Sequence, residues 1–360
     1  MADNKNLVKI GDLTFTDEQV RELNELIMLK YVTGESFTQL HNFQTGIVTG
    51  KKIGFVGEMG MVGVKSTGCD PSVQAAQISA SEKTWTPKEW EILLSQCADD
   101  LEATLGVYIR KLNPESYDLT NTAYMQLVAD KLIEAMNKMF WRIAWLGDED
   151  AANFDGSPAG EITDGIDAKY FSLLDGFWKQ IYAVVAADAS RRVTVAANAQ
   201  STYATQLNET NFSPLLAFGY LQQLTYNAHP ALRQATNKVG LATRSFVDRA
   251  EQYLMEKSIV PTYENLVNGV QALRINGQLW VPLDIWDEQI RAYQADGTKY
   301  IRPHRALLTT ADNLAVGVPA TDRLERFDIW YNKDERKNKI EAIDKLDVKI
   351  LQDNLVQVAY

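Results

Sequence analysis

The sequence predicts an α+β fold, and three features carry that prediction. An apolar stripe at helical spacing runs from about Leu119 to Leu146, a glycine-rich excursion of β-formers fills residues 37–81, and short strands joined by turns occupy the chain beyond Pro261. The chain has 360 residues, 46% hydrophobic and 23% charged. That is enough to bury a full core, as one large domain or as smaller ones of roughly 150 residues, and it excludes a disordered or fibrous chain.

Taken in order, the first element is a helix. Thr16 and Gln19 form a capping box, Val20, Leu23, Leu26, Ile27 and Tyr31 make one apolar stripe, and Thr33-Gly34 ends it. From Phe37 to about Ser81 the chain is glycine-rich and then small and polar. Seven of the 21 glycines lie between Gly46 and Gly68, interleaved with Ile47-Val48, Ile53, Phe55-Val56, Val62 and Val64, which reads as a long twisted β-hairpin. Ordering ~45 such residues costs about 1–2 kcal/mol each, so a segment this thinly apolar needs something else to pack against. Thr86-Pro87-Lys88-Glu89 reads as a second capping box, with Trp90, Leu93/Leu94, Cys97, Leu101, Leu105 and Tyr108 at helical spacing. A strand over Trp90–Leu94 followed by a helix from Ala98 fits the same residues.

The long helix follows, with Tyr124, Leu127/Val128, Leu132, Met136, Met139/Phe140 and Ile143 on its stripe. Glu134 and Lys138 form an i,i+4 pair, and Gly147-Asp148 stops it after a span of ~40 Å at 1.5 Å per residue. After a loop through Gly165, helical signals recur over Phe171–Ala187, Pro214–Tyr226 and Thr243–Met255, broken by a β-like Arg192–Ala196. Beyond Pro261 short strands and turns are expected. Val270–Ile275 and Leu279–Val281 flank Asn276-Gly277, a strong hairpin signal. Arg305–Thr310 and Leu314–Val318 read as a further strand pair bridged by Ala311-Asp312-Asn313. Phe327–Tyr331 leads through a polar turn at Asn332–Asn338 to a strand on which Ile343, Leu346, Val348 and Ile350 line up, and Leu355–Tyr360 closes the chain.

The 36 basic and 47 acidic residues leave a formal charge of −11 and a pI near 4.9, which argues against a main affinity for phosphate backbones. The longest apolar run, Ile181–Ala187, is far short of the ~18 residues of a membrane span, and the first residues hold no apolar signal region. A globular intracellular chain is expected. Cys69 and Cys97 exclude a disulfide framework and a four-thiolate zinc site, though Cys69 near Lys65 is a candidate reactive thiol. His41, His229 and His304 form no helical metal pair. Asp148-Glu149-Asp150 and Asp99-Asp100-Leu101-Glu102 lack the alternating ligands of a calcium loop, and the sequons at Asn208 and Asn211 mean little without a signal peptide. The run Gly57–Ser66 resembles a phosphate-binding loop, but Val64 separates Gly63 from Lys65. No catalytic, cofactor-binding or metal-binding residue is assigned, no cofactor is implied, and an enzyme is not expected.

The order of elements is then informative: helical arm, glycine-rich hairpin, short helix, very long helix, mixed region, closing strands. With the segments Trp85-Thr-Pro87-Lys-Glu-Trp90, Cys97-Ala-Asp-Asp-Leu101-Glu, Arg142-Ile-Ala-Trp145-Leu-Gly-Asp148 and His304–Leu314 through Tyr360, it resembles the major capsid protein of tailed bacteriophages, the Hong Kong 97-type fold. The resemblance covers nearly the whole chain. It implies an N-terminal arm (1–35), an extended β-hairpin E-loop (36–88), a peripheral domain (89–165) with a spine helix (about 119–147), an axial domain (166–324), and C-terminal strands (325–360) joining the two domains. It implies self-assembly as hexamers and pentamers into an icosahedral phage head enclosing double-stranded DNA, built in the bacterial host cytoplasm and ending in the virion. The partners implied are other copies, a portal at one vertex, a separate scaffolding protein, decoration or minor capsid proteins, and DNA held by weak non-specific contact; no membrane is involved. E-loops lying across neighbouring subunits would supply the missing packing partner of the glycine-rich segment. Some members carry a scaffolding segment that is cleaved away; only ~35 residues precede the loop here, so none is expected. Lys51, Lys52 and Lys65 lie in the loop that some members crosslink, with no catalytic Glu or Asn acceptor identified. Two other readings remain: an encapsulin-like nanocompartment shell protein, and an unrelated soluble enzyme, which would need a pocket of convergent polar groups.

Overall fold

The structure, a computed structural model, describes residues 37–59, 78–97, 120, 123–154, 160–265, 271–319 and 327–360. The expected helix at 16–31, Lys65 and Cys69, and the acidic run at 99–102 lie outside them. The described chain opens with one helical turn, α1 (Phe37–Leu40), and a short strand, β1 (Asn42–Gln44). An isolated two-stranded hairpin follows, β2 (Lys52–Met59) against β3 (Ile78–Thr84), then strand β4 (Lys88–Cys97) and the long helix α2 (Ala123–Leu146).

At 88–97 the strand prevails over the capping-box helix. Trp90 is buried and Ile92 and Leu94 pack on the core, while Glu89, Glu91, Leu93 and Ser95 point outward, a period of two. What holds it is a partner at the other end of the sequence: β4 pairs antiparallel along ten positions with β13, from Lys88↔Leu346 to Cys97↔Lys337.

The expected stripe buries α2. Val128, Leu132, Met136, Phe140 and Ile143 lie in the core, and the last two turns add Trp141 and Trp145. Each side chain so buried is worth about 1.5–3 kcal/mol in transfer free energy. The expected Glu134–Lys138 pair does not form. Glu134 instead pairs with Lys131 at 3.0 Å, and Lys138 reaches Glu288 at 2.5 Å. Helix α3 (Phe177–Ala187) is shorter than the periodicity suggests, because Gly176 brings its start against the end of α2. A Cβ on Gly176 would sit 2.8 Å from the Ala144 carbonyl, and Gly176 N–H donates to the Gly147 carbonyl at 2.8 Å. Phe171 is fully buried before the helix begins, in a short 3₁₀ stretch's wake.

The next elements are β5 (Arg192–Val193), α4 (Tyr203–Leu207), α5 (Pro214–Tyr226), α6 (Pro230–Gln234), β6 (Lys238–Ala242) and α7 (Arg244–Glu256). Ser213 caps α5 by accepting from Leu216 N–H, with Pro214 at the first helical position. Then come β7 (Thr262–Asn265), β8 (Gln271–Ile275), β9 (Gln278–Pro282), α8 (Asp284–Tyr293), β10 (Ala306–Thr310), β11 (Leu314–Gly317), β12 (Asp328–Asn332), β13 (Lys337–Ile350) and β14 (Gln357–Ala359). Asn276 and Gly277 turn β8 into β9 with φ of 50° and 80°, the left-handed pair that such a hairpin requires. Helix α8 falls in a region expected to hold only strands: Ile285, Trp286 and Ile290 form a short buried stripe behind acidic Asp284 and Asp287.

Two sheets organise the molecule. A seven-stranded sheet runs in the order β5-β14-β10-β6-β9-β8-β7, and a five-stranded one runs β1-β11-β13-β12 with β4 also on β13. Apart from its exposed edge strand β7, the seven-stranded sheet packs against helices on both faces. Leu307, Leu241, Val281, Ala272 and Val358 join α2, α3 and α8 on one side. Ala306, Leu308, Ala242, Trp280 and Leu273 join α5 and α7 on the other. Two covered faces explain why all five residues of β10 are buried.

The expected pairing of β10 with β11 does not occur. The 3₁₀ turn Ala311–Asn313 sends β10 into the seven-stranded sheet and β11 into the five-stranded one. On β13, Ile340, Ala342, Leu346, Val348 and Ile350 face the core, but Ile343 has the other parity and is 47% exposed. The chain end joins the sheets, since β13 crosses the five-stranded one and β14 lies between β5 and β10 in the other.

Candidate assembly surface

The hairpin is the part of the molecule that neither sheet absorbs. Its strands pair from Lys52↔Thr84 to Val56↔Ala80, with a register shift before Met59↔Ile78, and among the described residues they pair only with each other. Such a two-stranded ribbon is marginal by itself. Its base is firmly tied. Trp85 N–H donates to the Lys51 carbonyl at 2.8 Å and Gly50 N–H to the Trp85 carbonyl at 3.0 Å, while Gly46 and Ile47 donate to Pro319 and Val318 at 3.0 and 3.3 Å. The fully buried Trp85 fills a small core with Ile47 and Ala315, and its ring lies so close to Gly317 that a Cβ there would stand 2.6 Å from it. Thr86 N–H donates to Asp347 at 2.7 Å, and Lys83 pairs with Asp353 at 2.7 Å.

This corrects the expectation that 36–88 forms one loop without a core. Phe37 is 1% exposed and sits against Phe140 and Trp141, and Ile47 is 2% exposed, so residues 37–51 belong to the body and the excursion begins at Lys52. Spacing could not reveal this, because α1 is a single turn whose Phe37 is covered by Phe140 and Trp141 of α2, about 100 residues away.

Outside the hairpin, exposed large apolar side chains include three at two places. Val48 is 65% exposed beside Gly50. On the outer face of the five-stranded sheet, Leu93 and Ile343 are 57% and 47% exposed and are diagonal neighbours across the β4–β13 pair, ringed by Glu89, Glu91, Glu341 and Lys345.

The other sequence candidates occupy structural posts. His41 is buried between Phe37, Trp141 and Phe177; Trp145 Nε1–H donates to its Nε2 at 2.9 Å, so its Nδ1–H donates to the Phe37 carbonyl at 2.8 Å. Burial lowers its pKa to about 4 despite that backbone bond. His304 stacks on Phe212 and bonds Ser245 and the Gln206 carbonyl, and burial likewise lowers it to about 4. His229 caps α6. Asp148 and Asp150 gather with Asp175 around Lys179, at 2.5, 3.1 and 3.0 Å. Burial works to lower the Lys179 pKa, and the three carboxylates overcome it and raise it. Lys51 donates to the Gly46 carbonyl at 3.2 Å and Lys52 pairs with Glu82 at 2.5 Å. Cys97 is half-buried at the end of β4. Asn208 accepts from Asn211 N–H in a local turn. Among the described residues no group of three or more His, Cys, Asp or Glu side chains could hold a metal ion, and no helix is long and apolar enough to cross a membrane.

The chain matches no protein-family model and no curated protein. Solved structures do match. One described as "Mycobacterium phage Ogopogo" aligns at TM-score 0.55 and 12% identity over 96% of this chain and 99% of that one. The "Satellite phage P4 procapsid including size determination (Sid) protein" aligns at TM-score 0.45 and 11% identity over 91% and 94%, and the "Capsid of native GTA particle computed with C5 symmetry" at 0.47 and 11% over 98% and 99%. Shared end to end at 12% identity, the likeness to the first of these is one of fold alone: the α+β architecture of this chain is that of a phage structure.

Proposed function

We propose that this chain is a major capsid protein, a structural rather than catalytic subunit that assembles as hexamers and pentamers into the icosahedral head of a tailed phage around double-stranded DNA. The end-to-end match of its fold to a phage structure carries the reading. A second feature supports it: among the described residues the hairpin strands pair only with each other, and Val48, Leu93 and Ile343 are exposed apolar side chains outside the hairpin. A symmetric shell offers every copy the same neighbour through contacts that close. In this reading residues 1–35 form the arm, the hairpin is the E-loop, α2 the spine of a peripheral domain, and the seven-stranded sheet the axial domain. Portal, scaffold and decoration proteins are separate chains, DNA is contacted weakly, and the protein ends in the virion.

The test is to express the chain with its assembly partners and examine it by size-exclusion chromatography and electron microscopy. Shells are expected. Because Gly46–Lys51 and Trp85 belong to the body, the informative deletion replaces residues 52–84 with a short Gly-Ser turn, and it should give folded subunits that build no stable particles. Wild-type protein that stays monomeric with those partners present overturns the reading. Normal particles from the deletion overturn the role of the hairpin alone.

A further inference from the structure

Helix α5 is apolar on both sides. Pro214, Ala217, Leu221 and Leu224 are buried, and the last three join the core on the α5–α7 side of the seven-stranded sheet. The opposite face carries Leu215, Gly219, Gln222 and Tyr226, spaced i, i+4, i+7 and i+11 so that they share one stripe. Leu215 is 60% and Tyr226 56% exposed, and Leu216 beside them is 38% exposed. A helix that packs on one side only carries charged and polar residues on the other. Helix α5 has no charged residue at all. It lies within residues 210–232, the longest stretch without Lys, Arg, Asp or Glu in a chain that is 23% charged.

Gly219 is an independent observation on the same stripe. It stands in the middle of the helix, where glycine is less favourable than alanine. A Cβ on it would meet nothing within 4 Å, and its φ is not positive, so neither packing nor backbone conformation within the subunit requires a glycine. A notch between two exposed apolar side chains does let another backbone approach closely. Charge says whose backbone that is. Each copy of the chain has a formal charge of −11, so copies repel over most of their surface, and an uncharged apolar face is where two of them meet without that cost. The same face offers nothing to the phosphates of a nucleic acid.

We propose that the outer face of α5 is a subunit contact, covered in the assembled state by a second copy of this chain. The inference rests on the assembly reading and adds to it a contact surface other than the hairpin. Two measurements on the full chain, expressed with its assembly partners, test it. Benzoylphenylalanine in place of Leu215, in a minority of copies within wild-type shells, should on irradiation join two copies of this chain, with the captured peptide coming from the second copy. Gly219→Glu improves the helix and points into open space, so the subunit should keep a Tm no lower than wild type, while the buried charge should abolish shells in electron micrographs. Leu215→Lys tests the same face if Gly219→Glu fails to fold. A wild-type chain that stays monomeric overturns the assembly reading and this inference with it. Once wild-type shells form, a crosslink to a different protein or to none, or normal shells from the charged variants, overturns this inference and leaves the assembly reading standing.

Discussion

Phe140 and Lys138 show how much one turn of helix decides. Phe140 is 3% exposed, with Trp90 edge-on at 5.4 Å and Phe37 stacked at 5.9 Å. Removing its ring leaves a cavity bounded by three separate elements, so Phe140→Ala should cost about 3–5 kcal/mol. Lys138 lies off that face and its pair with Glu288 is about one-third to one-half exposed, so Lys138→Ala should cost no more than about 1 kcal/mol. Urea unfolding of the two variants checks this, and equal losses would mean that the buried face is assigned wrongly. Both positions were legible from the stripe. The partner of Lys138 was not, because Glu288 belongs to a helix 150 residues away whose short stripe is hidden among strand-like neighbours.

At the scale of elements, the hairpin depends on a contact between two segments distant in sequence. Gly317 ends β11, and the ring of Trp85 occupies the place of its missing side chain. Gly317→Ala must push aside an indole that is fully buried and has Ile47 behind it, at about 1–3 kcal/mol for overpacking. The expected outcome is a lower Tm together with faster proteolytic cleavage between residues 52 and 84. Gly54→Ala is the control, since nothing lies within 4 Å of its would-be Cβ, and it should leave the Tm of the isolated chain unchanged. A Gly317→Ala protein as stable and as protease-resistant as wild type would refute the proposed anchor.

For the whole molecule, acid is the informative variable. His41 and His304 are held neutral with pKa values of about 4, below the 6.5 of the exposed side chain. Between those values the unfolded chain binds protons that the native state refuses, so stability falls as pH drops from 7 towards 4, by roughly 3 kcal/mol per histidine at most. Asp287 opposes this. Burial raises it to about 6, so the native state takes up its proton first and gains stability over the same descent. Asp248 and Asp347, raised mainly by burial, act in that direction too. The two histidines outweigh these carboxyls, and the urea midpoint should fall between pH 7 and pH 4.5. A midpoint that stays level or rises would show that at least one imidazole is not held neutral.

What the sequence determined by itself is what neighbouring residues decide. The stripe of α2, the Ser213-Pro214 start of α5 and the Asn276-Gly277 turn each depend on side chains within a few positions of one another, so periodicity and capping were enough. The order of these elements also sufficed to suggest the fold that the structure shows. The tertiary structure decided everything that depends on a distant partner. Residues 88–97 became a strand because β13 lies alongside them, β10 and β11 parted because two different sheets stood ready to accept them, and α1 was buried because α2 offered it an aromatic wall. The parity of Ile343 and the complete burial of Arg305 belong to the same class. Burial and pairing are set by what closes over a residue in space, and local spacing carries no record of that when the covering element lies hundreds of residues away.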